Sequence, residues 1–458
     1  MKKLFFVTLL FLIIFTKIKA QNPDSIQIKK IYNEALSSNI AYKNLEFLCK
    51  NTIGRICGTT ESINSIKWAE KKMIELGFDT VYLQALKVHS WLRGEKEIAK
   101  INSSILGEQN LNICALGESV GTGELGINAQ VIEVNNFEEL KQLGIDKVKG
   151  KIVFFNRAMD PTYIYTFNAY GNAADQRVHG ASEAAKYGAI GVIVRSLTES
   201  IDDFPHTGIM RYDKDIDTIP AVAVSTIGAD LLSSWLKKDE SLNLNIITTC
   251  KQLPETTSYN VIGEIKGSEF PNQYIIVGGH IDAWDITQGA HDDGVGCIQS
   301  IEVLRLFKTL NIKPKHSLRT VIFMDEEVAQ RGGNKYAELS KINNETHIAA
   351  IESDRGGFTP TGFSIDAPIE TINKIKNNWS KLFEPYGIYQ IIKGGSGVDI
   401  YPLKDQNFPL IGLMTDSQRY FDYQHAASDT FDKVNKREMQ LGSSAMAALI
   451  YLIDKYGF

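Results

Sequence analysis

From residue 260 to the C-terminus the chain repeats one rhythm: a short run of aliphatic and β-branched residues, a polar loop, then an amphipathic stretch. Strands are predicted over 274–279, 317–324, 346–352 and 408–414, and helices over 297–310, 332–341, 368–384 and 437–455. In 297–310, Ile298, Ile301, Leu304 and Phe307 fall on one stripe, the spacing of a helix with a buried face. Strands alternating with helices predict an α/β domain with a largely parallel sheet covered on both faces. Such a sheet gathers ligand-binding groups outside the carboxyl ends of its strands.

Those ends are crowded with acid. "YIIVGGHIDAWDITQGAHDDGVG", residues 274–296, starts as a buried strand, then carries His280, Asp282, Asp285, His291, Asp292 and Asp293 within fourteen positions. "RTVIFMDEE" ends in Asp325, Glu326 and Glu327, and "HIAAIESD" in Glu352 and Asp354. "FPLIGLMTD" leads into "YFDYQHAASDT", with His425 and Asp429. One acid after a strand is most simply a helix cap or a turn former. Four strand ends finishing this way are a different matter, because converging carboxylates repel unless a cation compensates them. Oxygen and imidazole donors without thiolates suit zinc, with manganese and cobalt as alternatives.

Two ions fit this set better than one. A bridging carboxylate would leave each ion one histidine and one further carboxylate, and ions ~3.5–4 Å apart can share a hydroxide and polarise a carbonyl. Adjacent Glu326 and Glu327 leave the backbone in different directions, so one can ligate while the other serves as general base.

The order H-x-D, D-D-G-x-G, E-E, D, H resembles the co-catalytic zinc exopeptidases of the aminopeptidase and glutamate-carboxypeptidase type. "IGRICGTTESINSIKWAEKKMIELGF", "NVIGEIKG", "MDEEVAQRGGNKYAE", "AAIESDRGGFTPTGF" and "GGSGVDIYPL" extend the likeness over nearly the whole mature chain. The resemblance implies a zinc-exopeptidase (phosphorylase/hydrolase-like) α/β fold, with a mixed, largely parallel sheet and an inserted β-rich protease-associated domain. It implies that His280 and Asp354 hold one zinc, Glu327 and His425 the other, and that Asp292 bridges them. Glu326 would be the general base, Asp282 would orient the His280 ring, and His291 would be a cleft-side residue without a ligand role. The loop 393–403 would border the substrate pocket, its Gly394, Gly395 and Gly397 either admitting a ligand or simply making turns.

The implied activity is hydrolysis of short peptides by a carboxypeptidase or dipeptidase, with an aminopeptidase as the alternative. Gln424 and Ala426 stand where relatives often carry His and Ser, which bears on subsite preference. A catalytically inactive binding ectodomain would not need the complete ligand set together with Glu326. A two-metal phosphoesterase would be expected to show arginines near these motifs, and no such cluster is apparent in the sequence. Relatives are often dimers, so a homodimer is expected.

The remaining features bound these readings. With 458 residues the chain exceeds one ordinary domain, and a net charge of −5 offers nucleic acid no electrostatic attraction. "MKKLFFVTLLFLIIFTKIKA" has the layout of an export signal cut after Ala20, predicting a secreted or periplasmic protein without stable membrane insertion. Five cysteines, an odd number with no C-x-x-C, are expected to be buried free thiols, with a local Cys49–Cys57 bridge as the alternative. "TTESINSIKWAEKKMIELGF" predicts a helix capped by Thr60 or Ser62, with Ile63, Ile66, Ala69, Met73 and Ile74 on its buried face and Gly77 ending it.

The glycine-rich "GESVGTGELG" marks an expected boundary near residue 118. The expected order is signal 1–20, N-terminal catalytic part 21–117, insert 118–250 and catalytic domain 251–458. Within the insert, strands are predicted at 149–157, 190–196 and 219–225, with a small-residue helix at 179–189. His179 and His206 are isolated there and carry no evident chemistry.

Overall fold

The structure, a computed structural model, describes residues 22–458; the expected export signal lies outside the described residues. The four predicted strands of the C-terminal half form at Phe270–His280, His316–Phe323, Thr346–Glu352 and Leu410–Thr415. They are the parallel centre of an eight-stranded sheet, in the order 316–323, 270–280, 346–352, 410–415. Four further strands flank them. The ribbon Thr80–Leu92 with Lys251–Ile265 joins one side antiparallel, and Pro360–Asp366 with Gln390–Lys393 extends the other.

Alternation along each central strand covers both faces. Ile275 and Val277 point into a core shared with Leu318, Ile351, Leu449 and Ile453, whereas Ile276 packs with Val321, Phe323, Ala350 and Tyr336 on the opposite side. The helix Val295–Thr309 is buried from Val295 through Phe307, not along one stripe only, because it lies between the sheet and the helices Ile40–Asn51 and Lys436–Tyr456. Its polar residues are paired accordingly: Arg305 grips Glu302 through two hydrogen bonds, and Gln299 donates to the Met439 carbonyl.

The predicted N-terminal helix runs Thr60–Glu75, but its cap is Thr59, whose hydroxyl accepts the Ser62 N–H at 3.1 Å. Ile66, Ala69 and Met73 are buried as expected; Ile74 is 59% exposed and belongs to the outer face. Gly77 ends the helix at φ +74°, a left-handed position.

A second eight-stranded sheet is built entirely from residues 98–247, with a parallel run 127–134, 152–155, 191–195, 221–224. It interrupts the chain between two strands that pair with each other in the first sheet, 80–92 and 251–265, and so forms an inserted lobe. The strands Ile98–Ser103, Gly107–Leu111 and Ile113–Ala115 already belong to it. The glycine-rich passage at 118 therefore lies inside this lobe rather than at its edge. All five cysteines are free and buried.

Candidate metal centre

Parallel register brings the acidic strand ends together. His280 is level with Phe323, Gly278 with Glu352, and Glu352 with Gly412, so the residues that follow each strand emerge along one edge. The strand 270–280 passes very close to the next helix. A Cβ at Gly279 would sit 2.4 Å from Asp293 Oδ2, which instead accepts the His280 N–H at 3.1 Å.

Five side chains converge at that edge in two groups of three, His280–Asp292–Asp354 and Asp292–Glu327–His425. Within each group the donor atoms lie within 4.8 Å of one another, and Asp292 belongs to both. His280 Nε2 is 3.2 Å from Asp292 Oδ1 and 3.6 Å from Asp354 Oδ1. His425 Nε2 is 3.2 Å from Asp292 Oδ2 and 3.0 Å from Glu327 Oε2. Glu326 stands just outside, its Oε2 3.9 Å from His280 Nε2.

The partners behind these side chains set their orientation. His280 Nδ1 faces the Asp282 carbonyl at 3.0 Å, and His425 Nδ1 faces the Thr207 carbonyl at 3.3 Å. A carbonyl only accepts, so each Nδ1 carries the hydrogen and each Nε2 turns its lone pair toward the cluster. Asp282 contacts the His280 ring chiefly through this main-chain oxygen, since its carboxylate is 3.6 Å away. That carboxylate instead accepts the N–H groups of Asp325, Glu326 and Glu327 at 2.9, 3.2 and 3.3 Å. It thereby fixes the turn that presents both glutamates.

The electrostatics describe a cluster whose charge a bound cation would compensate. Burial pushes Glu326 well above the usual carboxylate range, and nearby Asp354 and Glu327 add to the effect. Burial and the neighbouring Asp292 push Glu327 up to about 7, and burial also raises Asp354. For Asp292 burial acts upward but is outweighed by the close approach of the His280 and His425 rings, which holds it below its ordinary value. Burial disfavours charge on the two imidazoles, yet the surrounding carboxylates keep both well above the usual histidine value. Four carboxylates this close do not ionise together unless cations replace the shared protons. Fittingly, His280 Nε2, Asp292 Oδ2 and Asp354 Oδ1 are buried with no hydrogen-bond partner among the described residues. The donor set is nitrogen and oxygen throughout, which zinc accepts.

Other acids of the motifs have different occupations. Asp285 forms a two-pronged ion pair with Arg93 at 2.6 and 2.7 Å. Asp293 accepts the N–H groups of His280 and Gly296, which leaves Asp292 as the donor of the pair. Glu352 accepts the N–H groups of Val398 and Ile400 at 2.9 Å and so pins the loop 393–403. His291 is not on the cleft: it is fully buried, stacked 4.3 Å from the Phe358 ring, and accepts the Gly357 N–H.

A cavity of about 280 Å³ opens over Asp292, Glu326, Glu327, Asp354 and His425, and the inserted lobe supplies much of its wall through Phe167, Tyr170, Arg177 and Arg211. Sequence reasoning missed these four, since no spacing ties them to the acidic motifs and only the packing of the two lobes brings them in. Arg177 is 6% exposed, lies 5.4 Å over the Tyr170 ring, and has an unpartnered Nε. Arg211 donates to the Val328 carbonyl. Among the described residues neither guanidinium has a carboxylate partner within ion-pair distance.

A model of peptidase family M28 matches residues 260–450. Carboxypeptidase Q of Bos taurus is 31% identical over 423 residues, spanning 92% of this chain and 86% of that protein. A crystal structure of a peptidase M28 precursor from Shewanella amazonensis superposes with a TM-score of 0.89 at 31% identity, covering 94% of this chain and 96% of that one. A zinc aminopeptidase from Bacillus subtilis, at 20% identity and a TM-score of 0.63 over 89% of this chain and 93% of its own, shares the fold.

Proposed function

The chain belongs to peptidase family M28, and from that premise we propose that it is a zinc-dependent exopeptidase of short peptides, a carboxypeptidase or dipeptidase with a two-ion centre. His280 and Asp354 would hold one zinc and Glu327 and His425 the other, with Asp292 shared, as the two overlapping donor groups support. When bound, zinc supplies Lewis acidity toward the scissile carbonyl and toward the attacking water. Glu326 is the one carboxylate of the cluster outside both donor groups, and its side chain is 15% exposed to the cavity. It takes the proton of the attacking water and returns it to the leaving amine. Asp282 holds the backbone from which Glu326 projects.

The observation that carries the carboxypeptidase side of this reading is Arg177, a buried guanidinium without a carboxylate partner in the same cavity as the donor groups. A peptide's free C-terminal carboxylate is the natural counter-ion for it, with Arg211 nearby. We read the inserted lobe as a protease-associated domain that closes the cleft with Phe167 and Tyr170. The N-terminal "MKKLFFVTLLFLIIFTKIKA" supports export. Among the described residues no helix is long and apolar enough to cross a membrane.

The test is a matched panel of free dipeptides, N-blocked dipeptides and aminoacyl chromogenic amides, with zinc-loaded mature protein beside Glu326→Gln. Cleavage of free dipeptides, lost in the variant, is expected. Turnover of the amides would make the protein an aminopeptidase. No hydrolysis by folded, zinc-loaded protein would leave a binding ectodomain.

A further inference from the structure

The irregular segment between His280 and Asp292 has no ladder partner, yet both of its ends must be held in register for the two histidine groups to share Asp292. Two buried charged side chains from elsewhere in the chain grip it. Arg55, fully buried, donates Nε to the Ile281 carbonyl at 2.5 Å, Nη1 to Gln288 at 2.5 Å and Nη2 to Gly289 at 2.7 Å. Asp429, also fully buried, accepts the N–H groups of His291 at 2.8 Å and Asp292 at 3.1 Å. Each of these five side-chain contacts falls on the backbone of 281–292.

We propose that Arg55 and Asp429 are positioning residues, a backbone clamp that holds the 281–292 segment in its metal-binding shape and thereby sets the metal affinity of the site. This rests on the zinc reading given above. A guanidinium that fans its donors over three carbonyls fixes three points of a loop at once, which a lysine's single ammonium does not. Space is reserved for it: Gly289 has φ +55°, and a Cβ there would lie 2.8 Å from Arg55 Nη2. Gly54 sits equally tight, its N–H bonded to the Thr287 carbonyl at 3.0 Å.

Asp429 adds a second connection. It follows His425 by four residues, and its own carbonyl accepts the Thr287 hydroxyl at 2.9 Å. One residue therefore ties the loop bearing His425 to the backbone bearing Asp292, so the two donor groups are set relative to each other from behind. Ordinary core satisfaction would place such contacts anywhere in the fold. Here they all bear on one loop between two donors. Loss of the outer partners of metal-binding residues weakens metal affinity about 10- to 100-fold.

The experiment measures zinc affinity of the full mature chain by competition with a chelating dye, together with amide hydrogen exchange of the metal-free protein. The variants are Arg55→Lys, Asp429→Asn, Arg305→Met and His425→Ala. Arg305 is a buried arginine paired with Glu302 and Glu34 away from the centre, so its loss reports stability alone. The expected result is at least tenfold weaker zinc binding in Arg55→Lys and Asp429→Asn, wild-type affinity in Arg305→Met, and faster exchange confined to 281–292 in Asp429→Asn. Should Arg55→Lys not fold, Asp429→Asn decides. Zinc affinity within twofold of wild type in Asp429→Asn, or an equal loss in Arg305→Met, overturns the clamp while leaving the zinc reading in place. Wild-type affinity in His425→Ala overturns the zinc reading itself, and the clamp with it.

Discussion

The carboxylate of Asp282 accepts the backbone N–H of Glu326 at 3.2 Å, with Asp325 and Glu327 bonded to the same side chain. One buried acid at the end of one strand thus fixes the turn after its neighbour. Glu326 and Glu327 point as they do because that turn is held, and Asp325, at φ +71°, is held in a conformation that a free loop would seldom keep.

Asp282→Asn places an amide group where three N–H donors now meet an anion. The turn loses part of its anchor, so kcat is expected to fall about 10- to 100-fold, with KM changed less than kcat. Steady-state kinetics on a free dipeptide give the split. An unchanged kcat would mean that the turn holds its shape without the carboxylate.

Arg177→Met removes the proposed partner of the substrate carboxylate without touching a proposed metal-binding residue. The kcat/KM for a free dipeptide is expected to drop about 10- to 100-fold, the worth of a charged hydrogen bond. Activity on the C-terminally amidated dipeptide should barely change. Equal losses on both substrates would deny Arg177 that role.

Stability should fall on mild acidification through His206. Its Nδ1 bonds the Gln424 carbonyl at 2.7 Å where the inserted lobe meets the His425 loop, and burial pushes its pKa down to about 4 from 6.5. Between those values the unfolded chain binds a proton that the folded chain refuses, so lowering the pH from 6.5 toward 4 favours unfolding. The contribution approaches about 3 kcal/mol at the acid end. Urea unfolding of metal-stripped protein at pH 7 and pH 5 should show a smaller loss in His206→Gln than in wild type. Parallel losses would place the acid sensitivity elsewhere.

The convergence of the candidate donor side chains was legible in the sequence because each sits one to a few residues beyond a strongly apolar strand or its following loop, and parallel packing leaves such residues one place to go. The choice between Asp292 and Asp293 has its physical basis only in space, where Asp293 is occupied by two N–H groups. Arg177 and Arg211 gave no signal, since an isolated arginine in the insert is unremarkable until the lobes pack. The ribbon strand 251–265 was hidden for another reason. "KQLPETTSYN" is polar and carries Pro254, yet it pairs with 80–92 because Pro254 falls at a break in the register between Val88 and Ser90, where no ladder hydrogen bond is required. His291 misled through its neighbours, being a buried ring in an aromatic stack beside the centre rather than a group facing substrate.

The most direct test of the account is the number of zinc ions bound per chain, counted by native mass spectrometry and elemental analysis on wild type, His425→Ala and Asp354→Asn. Overlapping donor groups that share Asp292 predict two ions in wild type and a reduced count in each variant, with the fold retained. A wild-type chain that saturates at one ion, or a count in His425→Ala equal to that of wild type, would contradict the two-ion centre.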